Sequence, residues 1–501
     1  MRYFLLIVCT CLIYPGFSQK HKIADPKSFA NSITEGDLRK HLFVIAGKDF
    51  EGRETATAGQ HKAATYIENF FKSIGLQPGN NGSFQMDYPV FQDSMLNAGF
   101  ELNEQAYQYK EDFDLNLSNY ASTFALGEVV FVGYGITDST NDDYKGLDVR
   151  GKMVLALNSM PKERLQAEIN SRTFSPFGKQ DAAQKHGALG VMIIQDDFPR
   201  KSSLPLGNMY LSYYKKLVRP NTYFVSEKIA SAIMGSDYAA AKNGNIQPKT
   251  YPVQLMLDYS KQTARRQSSD VLGLLEGTDL KDEYVVISAH YDHLGRRDSV
   301  IYYGADDDGS GTVSVLEIAE AYAKAKAEGK GPRRSILFLA NSGEEKGLWG
   351  SEYYTDHPSF PLDKTTVDLN IDMIGRIDPH RKKGDSTNYV YIVGDDKLSS
   401  DLKPISERIN KLYTGMELDY KYNDPADPDR IYYRSDHFNF AKKGVPIIFY
   451  FDGIHFDYHK PTDTPDRINY DILAKRARLV FYTSWDMANR DNMLKRDIPL
   501  K

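Results

Sequence analysis

Two histidines and several carboxylates follow successive apolar runs in the second half of the chain. His290 and Asp292 follow "VVIS", Asp306, Asp307 and Asp308 come in the next turn, Glu344 and Glu345 follow "ILFLA", Asp372 lies in "LNIDMIG", and His459 comes after "IIFYF". Imidazoles with carboxylates, and no sulfur ligand, form a set that suits zinc or, less specifically, manganese or cobalt. These residues therefore predict a metal site.

Each of these residues also has an ordinary explanation when it is taken alone. An aspartate near the start of a helix, such as Asp308 in "DDDGSGT", can be an N-cap. A single histidine in a loop is usually a packing residue, and a pair of glutamates is usually a solvated face. Independent caps and surface charges would not be expected to fall at one strand end after another, so their joint placement favours the metal site.

The spacing of the polar residues assigns them different tasks. Residues i and i+2 of an extended segment point the same way, so Asp292 is expected to orient the imidazole of His290 by hydrogen bonding rather than to bind a metal itself. Three adjacent aspartates repel one another, and the arrangement becomes favourable only if cations beside them offset the repulsion. One of the three can bridge two metal ions, which lie about 3.5–4 Å apart in two-metal hydrolytic sites.

Apolar strands alternate with amphipathic helices from about residue 268 onward, and these elements must position the polar residues. The expected strands are "YVVISAH", "SILFLAN", "VDLNIDMIG", "YVYIVG" and "VPIIFYF", and the expected helices lie at about 312–327, 399–412 and 470–493. This alternation predicts an α/β domain with a mostly parallel sheet. Ligands of such sheets bind outside the carboxyl ends of the strands, where the polar residues fall.

The sequence pattern changes between residues 93 and 262, where short strand-like runs such as "GKMVLAL" are separated by turns. We interpret this stretch as a smaller β-rich module inserted into the α/β domain. The α/β domain would then consist of residues 19–92 and 263–501, and a helix, a break and a second helix are expected within 36–78.

Residues 1–18 have the layout of a secretory signal peptide: Arg2, an apolar run, a Pro-Gly break and Ser18. We expect export to the periplasm or the extracellular space. Both cysteines, Cys9 and Cys11, lie in this segment, so the mature chain would offer no thiolate. The net charge is −5 and there is no basic stripe, which argues against nucleic-acid binding. No later apolar run is long enough to span a membrane.

Five ordered motifs carry a resemblance to a known family. "SAHYDHLG", "YYGADDDGSGT", "NSGEEKGLWGS", "LNIDMIGR" and "YHKPTDT", together with "DFEGRETATAG", resemble the co-catalytic zinc aminopeptidase family, which includes secreted bacterial leucine aminopeptidases, glutamate carboxypeptidases and the transferrin receptor. The resemblance implies a three-layer α/β/α zinc-exopeptidase domain with a mostly parallel mixed sheet. The insert, through "VVFVGYGI" and "GALGVMIIQDD", is similar to a protease-associated domain.

By position, the resemblance implies a complete set of ligands for two Zn²⁺ ions. His290 and Asp372 would bind one ion, Glu345 and His459 the other, and Asp307 would bridge them. The peptide bond between Asp307 and Asp308 is cis in the family.

The resemblance also implies an activity, an exported aminopeptidase that acts on peptides with a free N-terminus. Glu344 would serve as general base towards a water held between the metals, and Tyr458 would donate to the oxyanion. A carboxypeptidase or dipeptidase of the same fold remains an alternative, in which Arg434 reads a substrate carboxylate instead of pairing with Asp436. A binding protein without catalysis is the third hypothesis.

Overall fold

The computed structural model describes residues 23–161, 164, 172–201 and 205–500. The predicted signal peptide and both cysteines lie outside the described residues. The chain divides into two compact units, one formed by Met1–Met86 with Ser269–Lys501 and the other by Asp87–Ser268. Among the described residues, no helix is both long and apolar enough to cross a membrane.

The strands of the described residues, in chain order, are β1 Gln77–Pro78, β2 Gln85–Leu102, β3 Gln105–Tyr107, β4 Phe113–Leu115, β5 Ser122–Phe131, β6 Met153–Leu157, β7 Gly190–Gln195, β8 Leu206–Tyr210, β9 Asn221–Ser226, β10 Lys249–Leu275, β11 Leu280–His290, β12 Arg296–Arg297, β13 Val300–Ile301, β14 Arg334–Asn341, β15 Thr365–Ile371, β16 Tyr389–Val393, β17 Glu417–Asp419 and β18 Ile447–Phe451. The α-helices are α1 Lys27–Ala30, α2 Glu35–Ile45, α3 Ala58–Ser73, α4 Pro176–Lys185, α5 Glu227–Met234, α6 Ser236–Lys242, α7 Gly311–Ala327, α8 Trp349–Asp356, α9 Leu402–Tyr413, α10 His437–Lys442 and α11 Tyr470–Asn489.

The first unit is built on a mixed sheet in the order β17-β16-β18-β15-β11-β14-β10. The pairs β11–β14, β11–β15, β15–β18 and β16–β17 are parallel, whereas β10–β14 and β16–β18 are antiparallel. The expected α/β domain with a mostly parallel sheet is therefore confirmed.

Strand β11 shows why the central strands read as unbroken apolar runs. Val285 and Ile287 pack on one face of the sheet in a core that also contains residues of α2, α3, α7 and α11. Val286 packs on the other face with residues of α8 and α10, such as Tyr354 and Phe440. Helices cover both faces, which gives three layers and leaves no solvated side on which polar residues could alternate.

In the second unit, part of β10 pairs with β5, and the strand order continues β5-β6-β7-β9-β4. One core of this unit lies between these strands and helices α5 and α6, and it includes Leu155, Met192, Val225 and Ile229. A second core includes Ala182 and Ala183 of α4. The unit is rich in β-structure, as the short strand-like runs in its sequence indicate. Its assignment as a protease-associated domain stays a prediction.

The helices and strands differ from expectation mainly at their ends. The helix expected at about 312–327 is α7, and the last helix ends at Asn489 rather than at residue 493. The two units divide at 86/87 and 268/269, not at the expected 92/93 and 262/263. Both divisions fall inside strands, β2 and β10, so no turn residue marks them in the sequence.

Candidate metal centre

The central strands of the first unit end level with one another. In the parallel register His290 pairs with Asn341, the last residue of β14, and Ile371 of β15 pairs with Tyr450 of β18. The segments that follow these strands therefore leave the sheet along one edge. This is the edge at which ligands of parallel sheets bind.

The aspartate triplet is divided between backbone support and the site. Asp306 Oδ1 accepts a hydrogen bond from Gly375 N at 2.7 Å. Asp308 Oδ1 accepts from Gly311 N at 2.8 Å, at the start of α7, and from Met373 N at 3.0 Å. The peptide bond between Asp307 and Asp308 is cis, as the resemblance implies. The outer two aspartates thus hold backbone, and Asp307 faces the imidazoles.

Asp307 presents its two carboxylate oxygens to different histidines. Oδ1 lies 3.3 Å from His290 Nε2, and Oδ2 lies 3.0 Å from His459 Nε2. On the first side, His290 Nε2 is also 3.6 Å from Asp372 Oδ1. On the second side, His459 Nε2 is 3.2 Å from Glu345 Oε2. The carboxylate of Asp307 therefore joins two groups, each of one imidazole and one further carboxylate.

The glutamate doublet follows β14 in a short 3₁₀ turn, Glu344–Lys346. Gly343 starts this turn with φ 73° and ψ 19°, in the left-handed region that glycine adopts without a steric penalty. The chain leaves the alternation of the strand here, so the adjacent side chains diverge. Glu344 Oε2 lies 3.9 Å from His290 Nε2, while Glu345 faces His459.

Several polar atoms of this cluster lack, among the described residues, the hydrogen-bond partners that buried groups require. Within the described part of the chain, His290 Nε2, Asp307 Oδ2 and Glu345 Oε1 are buried and have no hydrogen-bond partner. Such groups cost about 1–3 kcal/mol each when left unpaired. The ligand atoms of His290, Asp307 and Asp372 lie within 4.8 Å of one another. A divalent cation would satisfy these atoms, so the residues present fit zinc.

The pKa values reflect the excess of negative charge. Burial raises the pKa of Glu344 well above its ordinary value, and the carboxylates of Asp372 and Glu345 act in the same direction. Burial lowers the pKa of His459, but hydrogen bonding to Asp307 and Glu345 outweighs it and raises the value to about 10. The carboxylates thus favour positive charge at the imidazole positions, which is what bound cations supply.

Asp292 was expected to orient the imidazole of His290 through its side chain, but it supports the site in a different way. His290 Nδ1 lies 3.2 Å from the backbone carbonyl oxygen of Asp292, and its distance to the carboxylate Oδ1 is 3.7 Å. The carboxylate accepts hydrogen bonds from Thr55 Oγ1 at 2.6 Å and from Glu344 N at 3.2 Å. Asp292 therefore orients the imidazole through its carbonyl group and holds the glutamate turn through its side chain.

Tyr458 and Arg434 lie beside the cluster. The Tyr458 ring stacks on His459 with 3.9 Å between centroids, and its hydroxyl accepts a hydrogen bond from Arg434 Nη2 at 3.2 Å. The ion pair expected between Arg434 and Asp436 is not among those of the described residues, and Asp436 Oδ1 accepts from Ser351 Oγ instead. A cavity beside the cluster has apolar walls that include Met373. Ile431, Phe449, Phe451 and Ile454 complete these walls.

Sequence reasoning missed the buried Arg53. It donates from Nε to Tyr291 O at 2.7 Å, from Nη1 to Ile45 O at 2.9 Å and Tyr303 O at 2.8 Å, and from Nη2 to Gly304 O at 2.8 Å. These carbonyl groups belong to segments that lead into the metal-facing loops. Arg53 thus ties these segments together through backbone carbonyl groups, which a motif search does not show.

Asp463 and His293 were also missed. Asp463 Oδ2 accepts from the backbone N–H groups of Asp306 at 3.0 Å and Asp307 at 3.2 Å, and so fixes the turn that carries the bridging carboxylate. His293 Nδ1 lies 2.7 Å from Glu345 Oε1. Both residues stand inside the quoted motifs, "YHKPTDT" and "SAHYDHLG", but neither has a spacing that distinguishes it from a loop residue.

Comparison with known proteins places this site in a family. Residues 270–484 match the model of peptidase family M28, and this stretch contains His290, Asp307, Glu345, Asp372 and His459. This match covers less than half of the chain, and it is the part that carries the candidate site. The resemblance to co-catalytic zinc exopeptidases is thereby confirmed for the M28 region.

Individual relatives of the M28 region agree with this assignment. A probable leucine aminopeptidase of Arthroderma otae is 28% identical over 213 residues, which cover 41% of this chain and 55% of that protein. A probable glutamate carboxypeptidase of Arabidopsis thaliana is 30% identical over 150 residues, which cover 30% of this chain and 21% of that protein. The chain spans less than two thirds of the length of either relative.

A solved structure shows the same fold. An aminopeptidase from Aneurinibacillus sp. strain AM-1 superimposes with a TM-score of 0.56 at 18% identity, over 95% of this chain and 100% of that one. The likeness agrees with the expected three-layer α/β domain, and it is one of fold.

Proposed function

We propose that this chain is a zinc-dependent metallo-aminopeptidase. The observation that carries the proposal is the split carboxylate of Asp307, with Oδ1 3.3 Å from His290 Nε2 and Oδ2 3.0 Å from His459 Nε2. One carboxylate that serves two imidazole–carboxylate groups is the arrangement that two neighbouring cations require. His290 and Asp372 would hold one zinc ion, Glu345 and His459 the other, and Asp307 both.

The chain's own residues have distinct tasks in peptide hydrolysis. Bound zinc supplies Lewis acidity, which polarises the scissile carbonyl and lowers the pKa of the attacking water. Glu344 accepts the proton of that water and returns a proton to the leaving amine. A buried carboxyl whose pKa is raised is suited to hold a proton between these two transfers. The hydroxyl of Tyr458 donates to the oxyanion that develops on the carbonyl oxygen.

The surroundings of the cluster favour cleavage at a free N-terminus. The protonated α-amino group of a peptide is a cation, and Glu344 and Asp372 are acids that border the cavity beside the site. The apolar part of the cavity wall includes Phe449 and Phe451. We therefore expect a preference for substrates whose N-terminal side chain is apolar.

The proposal is tested by the hydrolysis of amino-acid amides before and after removal of the metal. We expect cleavage of leucine amide, loss of this activity on chelation and its return with added zinc. N-acetylated leucine amide should not be cleaved, because blocking the amine removes the group that the acids recognise. Equal cleavage of the blocked and free compounds would contradict an aminopeptidase.

A carboxypeptidase or dipeptidase of the same fold is the second candidate, and the position of Arg434 favours it. Arg434 lines the cavity beside the cluster and donates to Tyr458, so its guanidinium could bind a substrate carboxylate. Hydrolysis of an N-blocked dipeptide with a free C-terminus separates the two candidates. Arg434→Gln should abolish that cleavage if Arg434 binds the substrate carboxylate, and should reduce cleavage of leucine amide much less, through loss of the hydrogen bond to Tyr458.

We further propose that residues 1–18 direct export and that the β-rich second unit is a protease-associated domain. Export is supported by the apolar run after Arg2 and by Ser18. N-terminal sequencing of the protein recovered outside the cytoplasm should find a chain that begins near Gln19. A chain recovered there that still begins at Met1 would contradict cleavage.

A further inference from the structure

His293 is a buried imidazole that faces the same two carboxylates as His459. Its Nδ1 lies 2.7 Å from Glu345 Oε1 and 3.8 Å from Asp307 Oδ2. His459 Nε2 is 3.0 Å from Asp307 Oδ2 and 3.2 Å from Glu345 Oε2. The side chain of His293 is 0% exposed, whereas that of His459 is 37% exposed. The second half of the site is therefore approached by two imidazoles, one from the core and one from the surface.

The ring of His293 is not placed as an ordinary hydrogen-bonding histidine. Among the described residues neither of its nitrogens has a hydrogen-bond partner, although Nδ1 is so near to Glu345 Oε1. His290 Nε2 shows the same pattern beside Asp307. Nitrogen and oxygen atoms that point into a shared space are arranged like ligands of one cation.

The backbone fixes the direction of this ring. His293 N donates to Arg53 O at 3.2 Å. The ring rests on Gly304, where an added Cβ would lie 2.4 Å from Cγ of His293. Gly304 has a φ of 56°, so both its conformation and its lack of a side chain allow the imidazole to approach. Within the described ranges, the ring is held in place without a hydrogen bond to either nitrogen.

We propose that His293 is an additional ligand of the second metal position, together with Asp307, Glu345 and His459. The ligand atoms of His293, Asp307 and Glu345 all lie within 4.8 Å of one another. This inference rests on the proposed two-metal function and makes the two positions unequal. The second would have four protein ligands, whereas the first has His290, Asp307 and Asp372.

The inequality has a functional consequence. Zinc sites with four protein ligands are closed, whereas sites with three keep a position open for water or substrate. The second position would then bind zinc more tightly and organise the loops, and the first would be the one that exchanges ligands during turnover. Progressive chelation should therefore remove one zinc before the other.

The test is a zinc-binding titration with competing chelators on the full chain and on two variants, His293→Ala and His293→Asn. The Asn side chain keeps an N–H near the position of Nδ1 but is a poor zinc ligand. We expect both variants to lose affinity at the tighter site by more than about 100-fold, the upper end of the loss caused by removing an outer-sphere partner. The visible spectrum of the Co²⁺-loaded protein should change in both, since a ligand has been removed.

His437→Gln is the matched control. His437 is equally buried, but its Nε2 lies 2.8 Å from Tyr432 O, so this variant should keep both zinc affinities. Circular dichroism verifies that each variant is folded. If His293→Asn binds zinc as the unaltered chain does, His293 acts as a hydrogen-bond donor to Glu345 and the inference is wrong. If the unaltered chain binds no zinc at all, the proposed function fails as well.

Discussion

Glu344 Oε2 lies 3.9 Å from His290 Nε2, while the neighbouring Glu345 turns away towards His459. Two adjacent carboxylates thus serve opposite sides of one site. Glu344 is close enough to the first group to exchange protons with a water there, and Glu345 belongs to the second group. The turn that Gly343 starts points the two side chains in different directions. Each carboxylate can therefore face a different positive centre, which offsets the repulsion between them.

Exchanging either glutamate for glutamine should separate these tasks. Glu344→Gln removes the proposed general base, and we expect kcat for leucine amide to fall by about 10²–10⁴-fold while both proposed zinc ions stay bound. Glu345→Gln is the matched change at the next residue and should weaken zinc binding instead. Metal analysis of both proteins, alongside kcat, checks the division. Loss of zinc from Glu344→Gln would show that the roles are wrongly assigned.

Tyr458→Phe removes the hydroxyl that we assign to the oxyanion. The expected result is a fall in kcat of about 10²–10³-fold with little change in KM, because the hydrogen bond strengthens only as negative charge develops. Tyr433→Phe is the control, since Tyr433 is an exposed tyrosine of the neighbouring segment. Steady-state kinetics of both variants decide the matter. A Tyr458→Phe protein with unaltered kcat would exclude the hydroxyl from catalysis.

Arg53→Lys should destabilise the loops around the metals. A lysine cannot reproduce four hydrogen bonds to four carbonyl groups, and each buried acceptor left unpaired costs about 1–3 kcal/mol. We expect a lower Tm and weaker zinc binding. Arg296→Lys is the control, because Arg296 forms an exposed ion pair with Glu51, and such pairs contribute about 0–1 kcal/mol. Equal Tm values for the two variants would contradict the role of Arg53.

Asp395 makes stability depend on pH at a distance from the metal ligands. Burial raises its pKa to about 7, and its Oδ1 accepts from Asn423 Nδ2 at 3.1 Å. Between the pKa of the unfolded chain, about 4, and 7 the folded state keeps a proton that the unfolded state loses. The free energy of unfolding therefore falls as the pH rises through this range, by about 1.4 kcal/mol per pH unit from this group.

Asp395→Asn tests this linkage because it keeps the shape and removes the ionisation. Above pH 7 the variant should be more stable than the unaltered chain by a few kcal/mol, and the difference should shrink towards pH 4. Denaturant unfolding at pH 5 and pH 8 measures it. A difference that grows as the pH falls would have the wrong sign for a carboxyl whose pKa is raised.

The sequence alone predicted the elements whose physical causes are local. Residues 311–327 form a helix because alanines and other good helix formers dominate them, and the strands that carry His290 and Asp372 are apolar because helices cover both faces of the sheet. The polar residues after these strands could be grouped in advance, since parallel strands end at one edge. The roles given to them stay predictions.

Features that depend on distant contacts could not be predicted. Arg53 binds Tyr291, which is 238 residues away, and no spacing in the sequence reports that contact. His293 could not be distinguished from a packing histidine in the sequence, because the role we propose for it depends on the direction of its ring over Gly304. The boundaries of the second unit were displaced by six residues because β2 and β10 continue across them.

The most direct test of the central claim follows activity as zinc is returned to the metal-free chain. Aliquots of zinc are added to the chelated protein, and bound zinc and the hydrolysis of leucine amide are measured in the same samples. We predict no hydrolysis without metal, and full activity once two zinc ions are bound per chain. Full activity in the metal-free protein, or activity independent of bound zinc, would contradict the metallo-aminopeptidase assignment.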